Sequence, residues 1–270
     1  MSEISVTDSI VRNDISEGVV QLSLNRPSSL NALNTELLLQ MSVELAKLNQ
    51  DLNLKVLIIR GVGGKAFVAG ADISTLEASS GGKNPKGAED FIRQGNLVMK
   101  SLEEFPCPVI SAVDGFCLGG GLELALSGDL IIASTKAKFG LPEISLSLIP
   151  GFGGTQRLTQ RVGIGQARRI IYTGEMLSAD LAERLGLVDL LFAETEFEVK
   201  LSEIVSKLSK RSRISLVAAK KAVGASAREL LEDGLGRESE IFLELIQTSE
   251  AREGLSAFLE KREPKFQKVS

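Results

Sequence analysis

Residues 106–154 read PCPVISAVDGFCLGGGLELALSGDLIIASTKAKFGLPEISLSLIPGFGG, and this stretch limits the fold more than any other. Its runs at 109–113 and 130–133 are short, apolar and without a wetted face, so they read as strands covered on both sides. Three successive glycines, Gly119 to Gly121, lie between the runs, with Glu123 just beyond. Glu143 follows Leu141-Pro142, and Gly151, Gly153 and Gly154 close the stretch. Apolar sequence thus surrounds two carboxylates and a length of bare backbone, as a dry site requires.

The rest of the chain supplies layers to cover such strands. Val20, Leu22 and Leu24 alternate within 19–25, a half-buried strand that Arg26-Pro27 ends. Thr35 is placed to cap a helix in which Leu38, Met41, Leu45 and Leu48 recur at helical spacing, to about Gln50. Residues 56–59 (VLII) make another buried strand. Residues 61–72 read as a glycine-rich loop, 77–87 as a polar mobile loop and 88–104 as a helix. Strands alternating with helices point to an α/β fold with parallel pairing. From Glu196 to Arg262 the sequence reads as nearly continuous helix with one break near Gly224. The division is a core over 1–194 and a helical region over 195–270.

Composition removes several chemistries. The 270 residues include no histidine, so Ser-His-Asp, Cys-His and His-ligated metal sites are impossible within the chain. Acid–base work falls to Glu, Asp, Lys, Cys or the single Tyr172. Cys107 and Cys117 match no metal or redox spacing and read as buried thiols; no metal is expected. A formal net charge of -4 disfavours a nucleic-acid surface. The first residues, MSEISVTDSI, have no basic and apolar leader pattern, and no apolar run is long enough for a membrane span, so a cytoplasmic location is expected. Gly61-Val-Gly63-Gly64-Lys65-Ala66 fails as a nucleotide loop: no helix opens there, and Ala66 stands where a P-loop needs Ser or Thr.

Taken singly, the central features are ambiguous. The glycine cluster is either a tight strand-to-helix turn or a place where a ligand oxyanion meets backbone N–H groups. Glu123 is either on the solvent face of its helix or aimed into a site. Glu143 is either an exposed loop acid or a partner of Glu123.

Their combination resembles the enoyl-CoA hydratase/isomerase superfamily, the crotonases. The likeness runs through Asn25-Arg26-Pro27, Asn31-Ala32-Leu33, residues 66–73 (AFVAGADI), 119–125 (GGGLELA), 139–143 (FGLPE), 150–158 (PGFGGTQRL) and 253–262 (EGLSAFLEKR). The resemblance implies a right-handed spiral of ββα units with a C-terminal helical region that forms trimers, commonly paired into hexamers. It assigns Glu123 and Glu143 as the catalytic pair of the hydratases, and the N–H groups of Ala71 and Gly120 as the oxyanion hole. It assigns Lys65, Ala69, Gly70, Asp72, Ile73, Gly151, Phe258 and Lys261 to substrate or CoA contacts. The substrate is then an acyl-CoA thioester, with no separate cofactor because CoA is part of the substrate. Having both glutamates favours hydration over Δ3–Δ2 isomerisation. Ser28 and Ser74 depart from lysines that meet CoA in well-studied hydratases, and Ser147 departs from a frequent glycine.

Overall fold

The computed structural model describes residues 9–79, 84–228 and 231–264. An antiparallel hairpin, β1 (Ile10–Ser16) and β2 (Val19–Leu24), leads into α1 (Thr35–Leu48). One pattern then recurs. Strands β3 (Val56–Gly61) and β4 (Ala66–Val68) precede α2 (Ile73–Ser79) and α3 (Pro85–Glu103). Strands β5 (Val109–Val113) and β6 (Phe116–Leu118) precede α4 (Gly120–Leu126). Strands β7 (Leu130–Ser134) and β8 (Lys138–Gly140) precede a 3-10 turn (Pro142–Leu146) and α5 (Gly154–Thr173), which kinks at Gly163. Then come β9 (Leu177–Ser178), α6 (Ala179–Arg184) and β10 (Leu190–Phe192). Helices α7 (Phe197–Ser209), α8 (Arg213–Arg228), α9 (Leu231–Ile246) and α10 (Ser249–Leu259) follow.

Each repeat gives its first strand to one sheet and its second to another. Strands β3, β5 and β7 pair in parallel within a sheet ordered β1-β2-β3-β5-β7-β10. Strands β4, β6 and β8 pair in parallel within a sheet ordered β4-β6-β8-β9. This is the spiral of ββα units that the resemblance implies.

The first sheet is covered on both faces. Leu57, Ile59, Val109 and Ile131 point into the main core with α1, α3 and α4. Val19, Val56, Ile58, Ile110 and Ile132 point the other way, under Phe197, Leu201 and Val205 of α7. Strand β2 is buried along nearly its whole length and not half-wetted, with Val19 joining the cluster under α7.

Four local expectations are corrected. Asn34, not Thr35, caps α1, its side chain accepting the Leu37 N–H at 2.9 Å. Residues 61–72 are not loop throughout, since 66–68 form β4, and both ends of 77–87 belong to helices α2 and α3; residues 80–83 lie outside the described ones. Gly224 lies inside α8, because one glycine costs a helix only about 1 kcal/mol. The run is instead interrupted at 210–212, between α7 and α8, and again before α10, where the Thr248 side chain accepts the Ala251 N–H at 3.1 Å and caps the helix. Among the described residues no helix is long and apolar enough to cross a membrane.

Candidate active site

The pairing of β6 with β8 ends where the Gly119 N–H meets the Gly140 carbonyl at 2.9 Å. Gly119 then takes φ 51°, ψ -128°, open to glycine, and α4 begins. A Cβ on Gly119 would lie 2.7 Å from Glu143 Oε1, and one on Gly121 would lie 2.1 Å from the Val68 carbonyl oxygen. The glycines thus let β4, α4 and the Glu143 carboxyl close on one another.

Glu123 stands one turn into α4 and is 1% exposed, so it faces inward. Its Oε1 accepts the N–H groups of Phe152 at 2.7 Å and Gly154 at 2.8 Å. Gly154 opens α5, so the two N–H groups that hold the carboxyl belong to the turn entering that helix and to its first residue. Glu143 comes from the 3-10 turn. The turn ends at Ser147 with φ 56°, a left-handed conformation that costs a non-glycine residue about 1 kcal/mol. That geometry accounts for the glycine frequent at this position.

Ala71 is set by a single parallel bridge to Leu33. The Leu33 N–H donates to the Gly70 carbonyl at 2.9 Å, and the Asp72 N–H donates to the Leu33 carbonyl at 2.8 Å. In such a bridge the two bonds flank Ala71, whose own N–H points away from Leu33. Ala71 and Gly120 both line a cavity of about 160 Å³, as do Glu123 and Glu143. Among the described residues neither of those two N–H groups meets a protein acceptor.

The Asn25-Arg26-Pro27 and Asn31-Ala32-Leu33 motifs hold this bridge in place. Asn31 is fully buried; its amide donates to the carbonyls of Val62 and Ala66 at 3.0 and 2.9 Å, and its oxygen accepts the Arg26 N–H. Arg26 in turn pairs with Asp72 at 3.0 Å. Burial works against the Asp72 charge, but hydrogen bonds from Ser74 and Arg26, with the Arg26 charge, outweigh it and hold the carboxyl below the ordinary aspartate range.

Residues 14–269 match the sequence profile described as enoyl-CoA hydratase/isomerase. The chain belongs to the enoyl-CoA hydratase/isomerase family. It is 39% identical to the short-chain-enoyl-CoA hydratase of Clostridium acetobutylicum, over 90% of this chain and 92% of that one. It is 38% identical to the crotonyl-CoA hydratase of Syntrophomonas wolfei, over 93% and 95% of the two chains. The crystal structure of an enoyl-CoA hydratase from Bacillus anthracis superposes with a TM-score of 0.78 at 37% identity, covering 96% of this chain and 99% of that one.

Of the substrate contacts expected for an enoyl-CoA hydratase/isomerase, Ala69, Gly70, Ile73, Gly151 and Phe258 line the cavity. Phe258 does so within the same chain. Lys65, at the approach to β4, and Lys261, beyond α10, are exposed and lie off the cavity wall, as does Asp72. Leu76, Phe91, Ile92, Phe152 and Phe242 also line it and were not anticipated. Phe91 and Ile92 share the apolar face of α3 with core residues, so no sequence signal separates them from the core. Arg157 is a further unanticipated residue. It is 4% exposed, donates to the Phe152 carbonyl at 2.6 Å and grips the Glu103 carboxylate at 2.7 and 3.0 Å. Its only sequence signal is its place in the 150–158 motif. Burial pushes both thiols up, Cys107 to about 12 and Cys117 well above its ordinary value, which leaves them inert.

Proposed function

We propose that this chain is an enoyl-CoA hydratase, adding water across the 2,3-double bond of a 2-enoyl-CoA thioester to give a 3-hydroxyacyl-CoA. The observation that carries this reading is the meeting of two carboxyls and two unengaged N–H groups at one apolar cavity. The thioester oxygen accepts from Ala71 and Gly120. Water oxygen bonds to Cβ, the π electrons move toward the thioester, and enolate charge gathers on the carbonyl oxygen. Fixed donors favour that charge over the neutral ground state, and one such donor is worth ~3 kcal/mol in other enzymes. Glu123, oriented by the Phe152 and Gly154 N–H groups, takes the proton of the attacking water. Glu143 delivers a proton to Cα. The two exchange roles in the reverse direction. CoA belongs to the substrate, so the reaction as written uses no separate cofactor. Isomerisation of a 3-enoyl-CoA needs one proton carrier, so the presence of two carboxyls favours hydration.

In this reading Lys65 and Lys261 meet the CoA portion from the exposed rim, and Asp72 acts by holding Ala71 in position. Residues 1–194 form the catalytic spiral, and 195–270 supply CoA contacts and, through their outward apolar residues, assembly into a homotrimer or a dimer of trimers in the cytoplasm. Exposed Ile214 and Val223 on α8 and Tyr172 on α5 support an assembly surface. The acidic net charge disfavours a nucleic-acid partner.

Loss of the conjugated-thioester absorbance of crotonyl-CoA on adding the protein is the direct test, and no turnover by the unaltered protein removes the reading. Glu123→Gln and Glu143→Gln are each expected to lower kcat by about 100-fold or more, the scale of lost acid–base catalysis. Unchanged rates would refute the assigned roles.

A further inference from the structure

One ring spans the cavity wall between the reacting centre and α3. A Cβ on Gly120 would lie 3.3 Å from Cδ2 and Cε2 of Phe152, while one on Gly95 would lie 2.4 and 2.3 Å from Cδ1 and Cε1. The two edges of the Phe152 ring therefore touch, on one side, the cavity-lining Gly120 and, on the other, the middle of α3. There the ring packs edge-on against Phe91, with centroids 5.3 Å apart and planes at 65°. Phe91 and Phe152 are each 2% exposed, so the pair is a packed wall. Gly95 seats it, because any side chain at 95 would occupy the place of the ring.

We propose that Phe152, seated by Gly95 and backed by Phe91, sets the upper limit on acyl-chain length and restricts the enzyme to short-chain enoyl-CoAs. This rests on the hydratase reading above. With the thioester oxygen at the Gly120 N–H, the acyl chain begins beside the ring. The cavity is small, about 160 Å³, and the Phe152–Phe91 pair forms its wall on the α3 side. A longer chain must displace the ring, and the close-packed contact with α3 gives the ring nowhere to go. Phe152 serves the site through two separate groups: its backbone N–H holds Glu123, and its ring closes the cavity. A side-chain substitution removes the second and keeps the first.

The test is kcat/KM for crotonyl-, hexenoyl-, octenoyl- and decenoyl-CoA. The unaltered protein is expected to prefer crotonyl-CoA. Phe152→Ala is expected to raise the octenoyl-to-crotonyl ratio by about tenfold or more, the discrimination one methylene produces in an apolar pocket. Gly95→Ala should drive the ring into the cavity and depress crotonyl-CoA turnover, yet have no further effect in the Phe152→Ala background, where the ring is gone. If Phe152→Ala does not fold, Phe152→Leu carries the same comparison. An unchanged ratio in a folded variant overturns the chain-length inference while crotonyl-CoA turnover leaves the hydratase reading standing. No turnover of any 2-enoyl-CoA by the unaltered protein removes the reading beneath both.

Discussion

Asp72 stands next to a backbone N–H that the proposed reaction uses, and it works through its neighbours. Its carboxylate ties Arg26 to Ser74 and so fixes both sides of the Leu33–Ala71 bridge. Burial opposes the charge, but Ser74 and Arg26 outweigh it, so the folded-state pKa lies below the unfolded one. A depressed carboxylate contributes stability above its unfolded pKa and loses it as pH falls through the folded value. Asp72→Asn is therefore expected to lower Tm at neutral pH, with the gap to the unaltered protein closing as pH drops below about 3.9. Thermal melts across that range check it, and a gap that is constant with pH would show that the charge plays no part. Ser74 shows why position alone misleads. It stands where the resemblance led to expecting a CoA-binding lysine, but here its hydroxyl donates to Asp72 at 2.7 Å. The Asn-Arg-Pro and Asn-Ala-Leu motifs likewise marked the family from the sequence, yet their work as supports became visible only once Asn31 was seen bonded to Val62 and Ala66.

The turn that enters α5 is the element on which Glu123 depends. It gives the carboxyl two N–H bonds, and its Phe152 carbonyl is fixed by Arg157, itself locked to Glu103 at the end of α3. Arg157→Met breaks a buried ion pair and leaves the Glu103 carboxylate without it, at a cost of roughly 3 kcal/mol or more in stability. If the clamp also positions Glu123, kcat for crotonyl-CoA falls about tenfold with KM little changed, since a misplaced catalytic group costs rate first. Adding Glu103→Gln should return part of the stability and none of the rate. Recovery of both together would make the pair a purely structural one. The buried strands at 56–59 and 109–113 were legible because each is a solid apolar run. Strands β4, β6 and β8 were not, because three residues such as AFV, FCL or KFG carry no period. Arg157 was hidden for a different reason: within GTQRLTQRV it reads as one more charge on a solvated helix, and only the fold brings Glu103 to it.

In sequence the C-terminal region looks like an addition to a finished core, since its helices follow the last of the apolar strands. In space it completes that core. Phe197, Leu201 and Val205 of α7 cover the outer face of the six-stranded sheet, while Phe242, Ile246 and Leu255 enter the main core. Fully burying six such side chains, at about 2 kcal/mol each, contributes on the order of 10 kcal/mol, as much as the whole stability of an ordinary domain. Periodicity could not reveal this, because an apolar helix face does not say which surface it will meet. Only part of the region is left for assembly: the outward apolar residues, such as Ile214 and Val223. A chain ending at residue 194 is therefore expected not to fold, with collapsed far-UV dichroism and precipitation. The full chain should scatter light as three or six copies. A soluble, folded 1–194 fragment would make the helical region a separable appendage. It would still lack Phe242 and Phe258 from the cavity wall, so the proposed site would be open to water on that side even then.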